Sequence, residues 1–366
     1  MADYLYPLHI APIKEGVLQL SDDGEVMAIF NNRSDVPQEK LEVFEGILCP
    51  GFVNAHCHLE LSHMLGKLPK HTGLPNFIAK IPEQRVLETS KMKLAIERAD
   101  AMMYKGGIVG VGDISNTSDS FFVKEKSTIK YHTFVEVFAT NSEKAVEVFH
   151  FGQSIINKAP KPCSLVPHAT YSVSEKLFSL LKSHNSGEPI CIHNQETKSE
   201  DELFKKGSGD LYGFLKNFGK LYTSGKSALV TALSQMPKQI NILLVHNTFT
   251  SKEDIAWSIK NKYSTYWCTC PKANLYIEDT LPDYSIFDSD KLCVGTDSLA
   301  SNDSLSILEE LKVIQENSDF DLNTLLKIAC KNGAEALEFS TLGTFEKGKI
   351  PGVNLIDNLE LKKVIL

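Results

Sequence analysis

The stretch GFVNAHCHLELSH, residues 51–63, closes an apolar run with three histidines and a glutamate. In an extended strand, side chains alternate between the two faces, so His56 and His58 point to the same side. Two imidazoles placed in that way can hold one metal ion. A His-x-His pair alone also fits a polar strand end, so its meaning depends on what the rest of the chain brings beside it.

Seven further apolar runs end in polar residues in the same way. The eight runs are GILCPGFVNAHCH (46–58), GGIVGVGDIS (106–115), IKYHTFVEVF (129–138), SLVPHATYS (164–172), PICIHNQE (189–196), NILLVHNT (241–248), STYWCTCP (264–271) and KLCVGTDS (291–298). The segments between them, such as 87–104, 174–184 and 304–317, carry apolar residues three and four apart, as amphipathic helices do. Continuous apolar strands that alternate with helices predict a parallel sheet covered on both faces. Eight such units predict an α/β fold, a (β/α)8 TIM-type barrel over residues 49–339, with its active site at the C-terminal ends of the strands.

The two ends of the chain have a different pattern. The N-terminal segment has short alternating stretches, with a hairpin signal at Asp23-Gly24, and the C-terminal tail is likewise β-like. We therefore predict a small β-sandwich-like domain built from residues 1–48 and 340–366, flanking the barrel.

Composition narrows the class of partner. The chain of 366 residues is 42% hydrophobic and 23% charged, as in ordinary globular proteins. Its net charge of −8 lacks the basic excess of nucleic-acid binders. Neither a secretory leader nor an apolar run near the ~20 residues of a membrane helix stands out. We expect a small-molecule substrate, no nucleic-acid or membrane partner, a cytoplasmic location, and eight reduced, buried cysteines.

Side chains that can bind metal or protons end six of the eight runs. They are His56 and His58, Asp113, His168, His193, His246 and Asp297. A barrel brings strand ends together, so we expect these groups to converge. Neutral imidazole nitrogen and carboxylate oxygen are suitable zinc ligands, and a catalytic site commonly leaves one position open for water. His132, inside the third run, is expected to be a core residue.

Four motifs carry a family resemblance. The segments PGFVNAHCH, CIHNQE, LLVHN and VGTDS, in this order, resemble the metal-dependent amidohydrolase superfamily, especially its cytosine deaminase, chlorohydrolase and adenosylhomocysteine deaminase branch. The resemblance extends from about residue 45 into the tail GTFEKGK. More loosely, HLELS is similar to enzymes that deaminate aminodeoxyfutalosine. The resemblance implies a metal-dependent hydrolase, and family members are often dimers, so a homodimer is left open.

The resemblance also implies roles for individual residues. It makes His56, His58, His193 and Asp297 the ligands of one divalent ion, zinc or iron. His246 lies beside the bound water or the leaving group, with direct metal ligation left open. Glu196 matches the His-x-x-Glu element and is the expected proton shuttle. His168, in VPHATYS, resembles the Pro-His-Ala segment that holds substrate in purine deaminases. The fourth run ends without a lysine that could bridge two ions, so one metal is expected.

Several residues near the site keep two interpretations. By resemblance, Glu60 faces the substrate pocket, with a structural ion pair as the alternative. The role of His63 is open. Asp113 orients a ligand histidine or caps the next helix. Asn274 is expected to shape a loop.

The chemistry of these groups points to hydrolysis. A bound divalent metal lowers the pKa of water towards ~7, which produces hydroxide at neutral pH. Asp297 can hold that water and accept its proton, while Glu196 protonates a ring nitrogen and later the leaving amine. We expect deamination of a nitrogen heterocycle, most simply adenine-type, by attack of the hydroxide and loss of ammonia. Hydrolysis of a cyclic amide or a chlorinated heterocycle in the same site is the alternative, and a non-catalytic metal-binding scaffold is a third.

Overall fold

The computed structural model describes residues 1–37, 41–218 and 221–366. The strands of this part of the chain are β1 (Tyr4–Leu5), β2 (Ile13–Lys14), β3 (Val17–Leu20), β4 (Val26–Phe30), β5 (Ile47–Pro50), β6 (Phe52–Cys57), β7 (Ile108–Ser115), β8 (Lys130–Val137), β9 (Cys163–Pro167), β10 (Ile190–Asn194), β11 (Asn241–His246), β12 (Ser264–Thr269), β13 (Leu292–Val294), β14 (Val353–Asp357) and β15 (Glu360–Val364). Its α-helices are α1 (Leu74–Arg85), α2 (Thr89–Lys105), α3 (Phe121–Lys124), α4 (Ala145–Ile156), α5 (Glu175–His184), α6 (Lys198–Lys206), α7 (Asp210–Leu215), α8 (Ala228–Leu233), α9 (Lys252–Lys260), α10 (Pro271–Glu278), α11 (Ile307–Glu316), α12 (Leu322–Leu326) and α13 (Asn332–Ala336).

All eight predicted apolar runs form strands, arranged in two parallel sheets. One sheet has the order β6-β7-β8-β9 and the other β10-β11-β12-β13. Isolated parallel bridges connect the edges of the two sheets, one between Ala169 and His193 and one between Cys57 and Asp297. The prediction of parallel strands alternating with helices is confirmed. Closure into a barrel stays a prediction.

The pattern of burial explains why strands and helices alternate along the chain. β9 and β10 are buried at every position, as expected for strands covered on both faces. On α2, the buried residues Ile96, Ala99 and Met103 recur at helical spacing and form one face, which packs into the main core. Apolar burial of the two sheets between helices is therefore the main stabilising contribution.

A second apolar cluster lies among segments that follow the carboxyl ends of the strands. It includes Leu61 and Met64 from a 3-10 helix after β6, Phe77 from α1, Phe204 from α6 and Tyr276 from α10. These segments come from different strand–helix connections. The cluster thus packs the connections together on the side of the sheets where the polar strand ends lie.

The chain ends share a sheet of order β15-β14-β5-β1-β2, in which β14 pairs antiparallel with β5. The predicted hairpin is confirmed, since β3 pairs antiparallel with β4 and Gly24 has a φ of +80° in the turn between them. The assignment of residues 1–48 and 340–366 to a separate domain stays a prediction.

All eight cysteines lie in the described segments, where they are buried and form no disulfide. Over the same segments, no helix is long and apolar enough to cross a membrane.

Candidate metal and catalytic site

Three imidazoles and one carboxylate meet at the carboxyl ends of β6, β10 and β13. The Nε2 atom of His58 lies 3.2 Å from Nε2 of His56 and 3.3 Å from Nε2 of His193. Oδ1 of Asp297 lies 3.6 Å from Nε2 of His56 and 3.3 Å from Nε2 of His58. The four predicted ligand residues are therefore brought together by elements far apart in sequence.

These four residues fit a divalent metal ion. Ligand bonds of about 2.1 Å in a tetrahedral zinc site place neighbouring donor atoms roughly 3.4 Å apart, which matches the spacings here. Burial lowers the pKa of His56 and of His193 and lowers that of His58 to about 3, so the imidazoles are neutral and their lone pairs are available. Burial alone would raise the pKa of Asp297, but contacts with His56, His58 and His246 lower it overall. The set thus offers neutral imidazoles and an ionised carboxylate, the forms in which these groups bind metal.

The backbone at the end of β13 brings Asp297 against β6. The N–H groups of Thr296 and Asp297 both donate to the carbonyl oxygen of His56, each at 3.1 Å. A Cβ on Gly295 would lie 2.7 Å from that oxygen, so glycine is required for the close approach. Asp297 itself has a φ of +57°, and His246 one of +72°. Left-handed backbone at non-glycine residues is strained and clusters at functional sites, where it redirects a side chain.

Contacts behind His193 fix its orientation. Its Nδ1 donates to the carbonyl oxygen of His168 at 2.8 Å, which leaves Nε2 as the unprotonated nitrogen towards the donors. Oε2 of Glu136 lies 3.4 Å from the same Nδ1, and Asn116 Nδ2 donates to Glu136 Oε1 at 2.9 Å. Burial raises the pKa of Glu136 to about 8. Sequence analysis missed Glu136, although a carboxylate inside the apolar run IKYHTFVEVF was a signal that could have found it.

Glu196 and His246 form a second pair beside the donors. Oε1 of Glu196 lies 3.7 Å from Nε2 of His246, whose Nδ1 donates to Oδ1 of Asn274 at 2.8 Å. Burial raises the pKa of Glu196 well above its ordinary value, and the nearby charge of Asp297 adds to that rise. A carboxyl group that readily holds a proton suits an acid–base role. Asn274, expected to shape a loop, instead lies within helix α10, from which it orients His246.

His168 lies next to the donors and is partly exposed. Its ring centroid is 4.7 Å from that of His193 and 5.8 Å from that of Phe138, and its Nδ1 is 2.7 Å from Oγ of Ser172. Burial lowers its pKa to about 4, so the ring is neutral. The structure therefore places His168 beside His193, and its contact with substrate stays a prediction.

Glu60 is buried in a hydrogen-bonding network. It pairs with Arg85 and accepts hydrogen bonds from the N–H of Asn116 at 2.9 Å and from Oγ1 of Thr117 at 2.9 Å. His63 contacts the carbonyl oxygen of Arg85 through Nε2 at 3.1 Å. The structural ion pair, the alternative stated for Glu60, is thus present, and its substrate contact stays a prediction. Sequence analysis did not identify Arg85, because it lies in none of the recognised motifs.

Asp113 anchors the chain beside His58. It accepts a hydrogen bond from the N–H of Leu59 at 2.7 Å and pairs at 2.5 Å with Nζ of Lys124, both side chains being fully buried. Asp113 therefore holds the backbone immediately after His58. It does not cap the next helix, because α3 begins after Ser120 with no side-chain cap.

Comparison with known proteins agrees with this geometry. A model described as the amidohydrolase family matches residues 47–365, nearly the whole chain. The chain belongs to the amidohydrolase family. The resemblance inferred from the four motifs, and the prediction of a hydrolase acting on carbon–nitrogen bonds, are confirmed. For this amidohydrolase, a divalent metal is the cofactor that agrees with both the family and the donor set.

Individual relatives of this amidohydrolase are deaminases. An aminodeoxyfutalosine deaminase of a Nitratiruptor species is 26% identical over 328 residues, which cover 85% of this chain and 79% of that protein. The crystal structure of Helicobacter pylori aminofutalosine deaminase in complex with methylthio-coformycin matches with a TM-score of 0.81 at 24% identity, over 96% of this chain and 90% of that one. An adenosine deaminase from Xanthomonas campestris with bound zinc matches with a TM-score of 0.71 at 19% identity, over 100% of this chain and 86% of that one. The two structures share the fold of this chain.

Proposed function

We propose that this amidohydrolase is a metal-dependent deaminase that removes the exocyclic amine of an adenine-type nucleoside as ammonia. The observation that carries the proposal is Glu196, a buried carboxyl with a raised pKa, lying beside His246 at the edge of the four-donor cluster. Deamination needs such a proton carrier next to a hydrolytic centre. The deaminases of adenine-type compounds among its relatives support the choice of substrate, with aminodeoxyfutalosine as the first candidate.

The metal site is assigned to His56, His58, His193 and Asp297, with zinc as the ion. Zinc is favoured because three imidazole nitrogens and one carboxylate oxygen are its common ligands, and the same donors also accept iron. When bound, the ion makes a water molecule acidic enough to react at neutral pH.

The protein's own groups then handle the protons and the substrate. Asp297, ionised in its surroundings, accepts a proton from the attacking water. Glu196 delivers its proton to a ring nitrogen, then takes up the hydroxyl proton left on the attacked carbon and passes it to the departing amine, with His246 beside it. The proton accepted by Asp297 then returns Glu196 to its protonated form. His168 contacts the heterocycle. The reaction consumes one water molecule and the amino-substituted heterocycle, and it produces the keto heterocycle and ammonia.

The test is release of ammonia by metal-loaded protein from aminodeoxyfutalosine, adenosine, 5′-deoxyadenosine and methylthioadenosine, with guanine, cytosine and a chlorotriazine alongside. We expect ammonia from at least one adenine-type compound. Glu196→Gln is expected to lower kcat by about 10²- to 10⁴-fold, as for loss of a general acid–base group. Glu175→Gln, at an exposed carboxylate on α5, is the matched control and keeps full activity. Chloride release or ring opening without ammonia would contradict the proposal.

The finer architecture is also proposed. We infer a closed (β/α)8 barrel over residues 49–339, supported by the two bridges between the sheets. The shared sheet of the chain ends supports a small β-sandwich-like domain of residues 1–48 and 340–366. A cytoplasmic location and a homodimer stay predictions.

A further inference from the structure

We propose that Glu200 is a positioning residue that holds the turn displaying Glu196, an inference that rests on the proposed function. Glu200 lies in the first turn of α6, and its side chain is fully buried. Its carboxylate accepts hydrogen bonds from three consecutive backbone N–H groups. They are those of Gln195 at 3.2 Å, Glu196 at 2.8 Å and Thr197 at 3.5 Å. One carboxylate thus holds the backbone on both sides of the proposed proton carrier.

This arrangement exceeds what the start of a helix requires. In a capping box, the third helical residue reaches back to the N–H of the N-cap residue. Here the N-cap is Thr197, and its N–H makes the longest of the three bonds. The two shorter bonds go to Glu196 and Gln195, which precede the cap. The carboxylate therefore stabilises mainly the turn, and capping of α6 is the smaller part of its role.

The turn needs support because Gln195 has left-handed backbone, with a φ of +45°. For a residue other than glycine this conformation is strained and persists only when its surroundings impose it. The Gln195 side chain is also held, since Nε2 donates to Asp201 at 3.1 Å and to Asp254 at 3.0 Å, while Oε1 accepts from Thr250 at 2.8 Å. The result is a fixed reversal of the chain immediately after β10, which directs Glu196 towards His246.

Misplacement of the proton carrier should reduce turnover more than binding. A shift of about 1 Å in a reacting group can cost on the order of 10²-fold in rate. Glu200→Gln replaces one acceptor oxygen by an NH2 group, which faces a backbone donor in place of binding it. We expect kcat to fall about 10- to 100-fold and KM to change less than about threefold. Metal content should stay at the wild-type value, because Glu200 contacts none of the four donor residues.

The experiment compares Glu200→Gln with Glu200→Ala and with a control, Asp321→Ala. Asp321 caps α12 through a 2.8 Å bond from the N–H of Thr324, so the control removes a helix cap away from the site. The control should keep kcat, and Glu200→Ala should lose at least as much as Glu200→Gln. In a Glu196→Gln background, Glu200→Gln should have no further effect on kcat, because both changes act through one group. Additive losses in this double variant would overturn the proposal.

A measurement without substrate separates this proposal from the assignment of function. Hydrogen–deuterium exchange of peptides covering residues 194–198 should be faster in Glu200→Gln than in wild type, with exchange of α12 unchanged. If wild type releases no ammonia but exchange in these peptides still rises, the deaminase assignment fails while the support of the turn stands. If exchange in residues 194–198 is unchanged in the variant, Glu200 does not hold the turn and the positioning role is refuted.

Discussion

Lys124→Met should destabilise the protein strongly, because it removes one partner of a buried ion pair. Both side chains of the Lys124–Asp113 pair are fully buried and the charged atoms are 2.5 Å apart. Without the lysine, the carboxylate keeps the N–H of Leu59 at 2.7 Å but loses its counter-charge. Breaking a buried pair in this way costs about 3–5 kcal/mol. That is at least about a fifth of the total stability of a typical domain, about 5–15 kcal/mol.

The loss should depend on pH. Burial already raises the pKa of Asp113, and Lys124 opposes this rise, so the variant raises the pKa further. A carboxyl group whose pKa is higher in the folded than in the unfolded state destabilises the fold when it is ionised, and this cost disappears when it is protonated. The variant should therefore be closest to wild type near pH 4 and lose stability as the pH rises towards neutrality.

Urea unfolding at pH 7 and pH 4.5, followed by tryptophan fluorescence, gives the free energies. The double variant Asp113→Leu/Lys124→Met is the control, since replacing both charges by apolar groups should recover most of the loss. A single-variant loss below about 1 kcal/mol at pH 7, or a double variant as unstable as Lys124→Met, would refute the reasoning.

Three further predictions address other parts of the molecule. Burial lowers the pKa of His132 to about 4, so neutral His132 stabilises the fold above pH 6.5 and this contribution is lost as the pH falls. Between pH 7 and pH 5, wild type should therefore lose about 2 kcal/mol more unfolding free energy than His132→Gln, measured in urea. Gly295→Ala should lower metal content and cost about 1–3 kcal/mol by forcing its Cβ against His56, while Gly213→Ala, whose Cβ meets nothing within 4 Å, changes neither. Removing metal with a chelator should lower the Tm, and zinc at a thousand times its Kd should restore about 4 kcal/mol; an unchanged Tm would contradict the metal assignment.

The strands were predictable because apolar periodicity and length are local properties. The runs that contain His58, His193 and His246 form β6, β10 and β11, and the segment 87–104 with helical spacing forms α2. The convergence of His56, His58, His193 and Asp297 could also be predicted, because each lies at a strand end and the parallel arrangement brings strand ends together.

The supporting residues could not be predicted, because their roles depend on contacts that exist only in the folded conformation. Asn274 reaches His246 from α10, and Arg85 reaches Glu60 from the end of α1. Glu200 looks in sequence like any acidic residue in the first turn of a helix, and only the folded turn brings its carboxylate to the N–H of Glu196. No periodicity marks such contacts, since the first two depend on how separate connections pack and the third on the conformation of a single turn.

Strand β5 lies between β1 and β14, so its two neighbours come from opposite ends of the chain. During ribosomal synthesis, one edge of β5 remains open until residues 353–357 have emerged. Open strand edges recruit other strands. The nascent chain therefore exposes an unpaired edge of β5 through most of its translation, directly before β6, the strand that carries His56. Premature termination before residue 353 would leave that edge without its partner in the released fragment, free to pair with a strand of another chain.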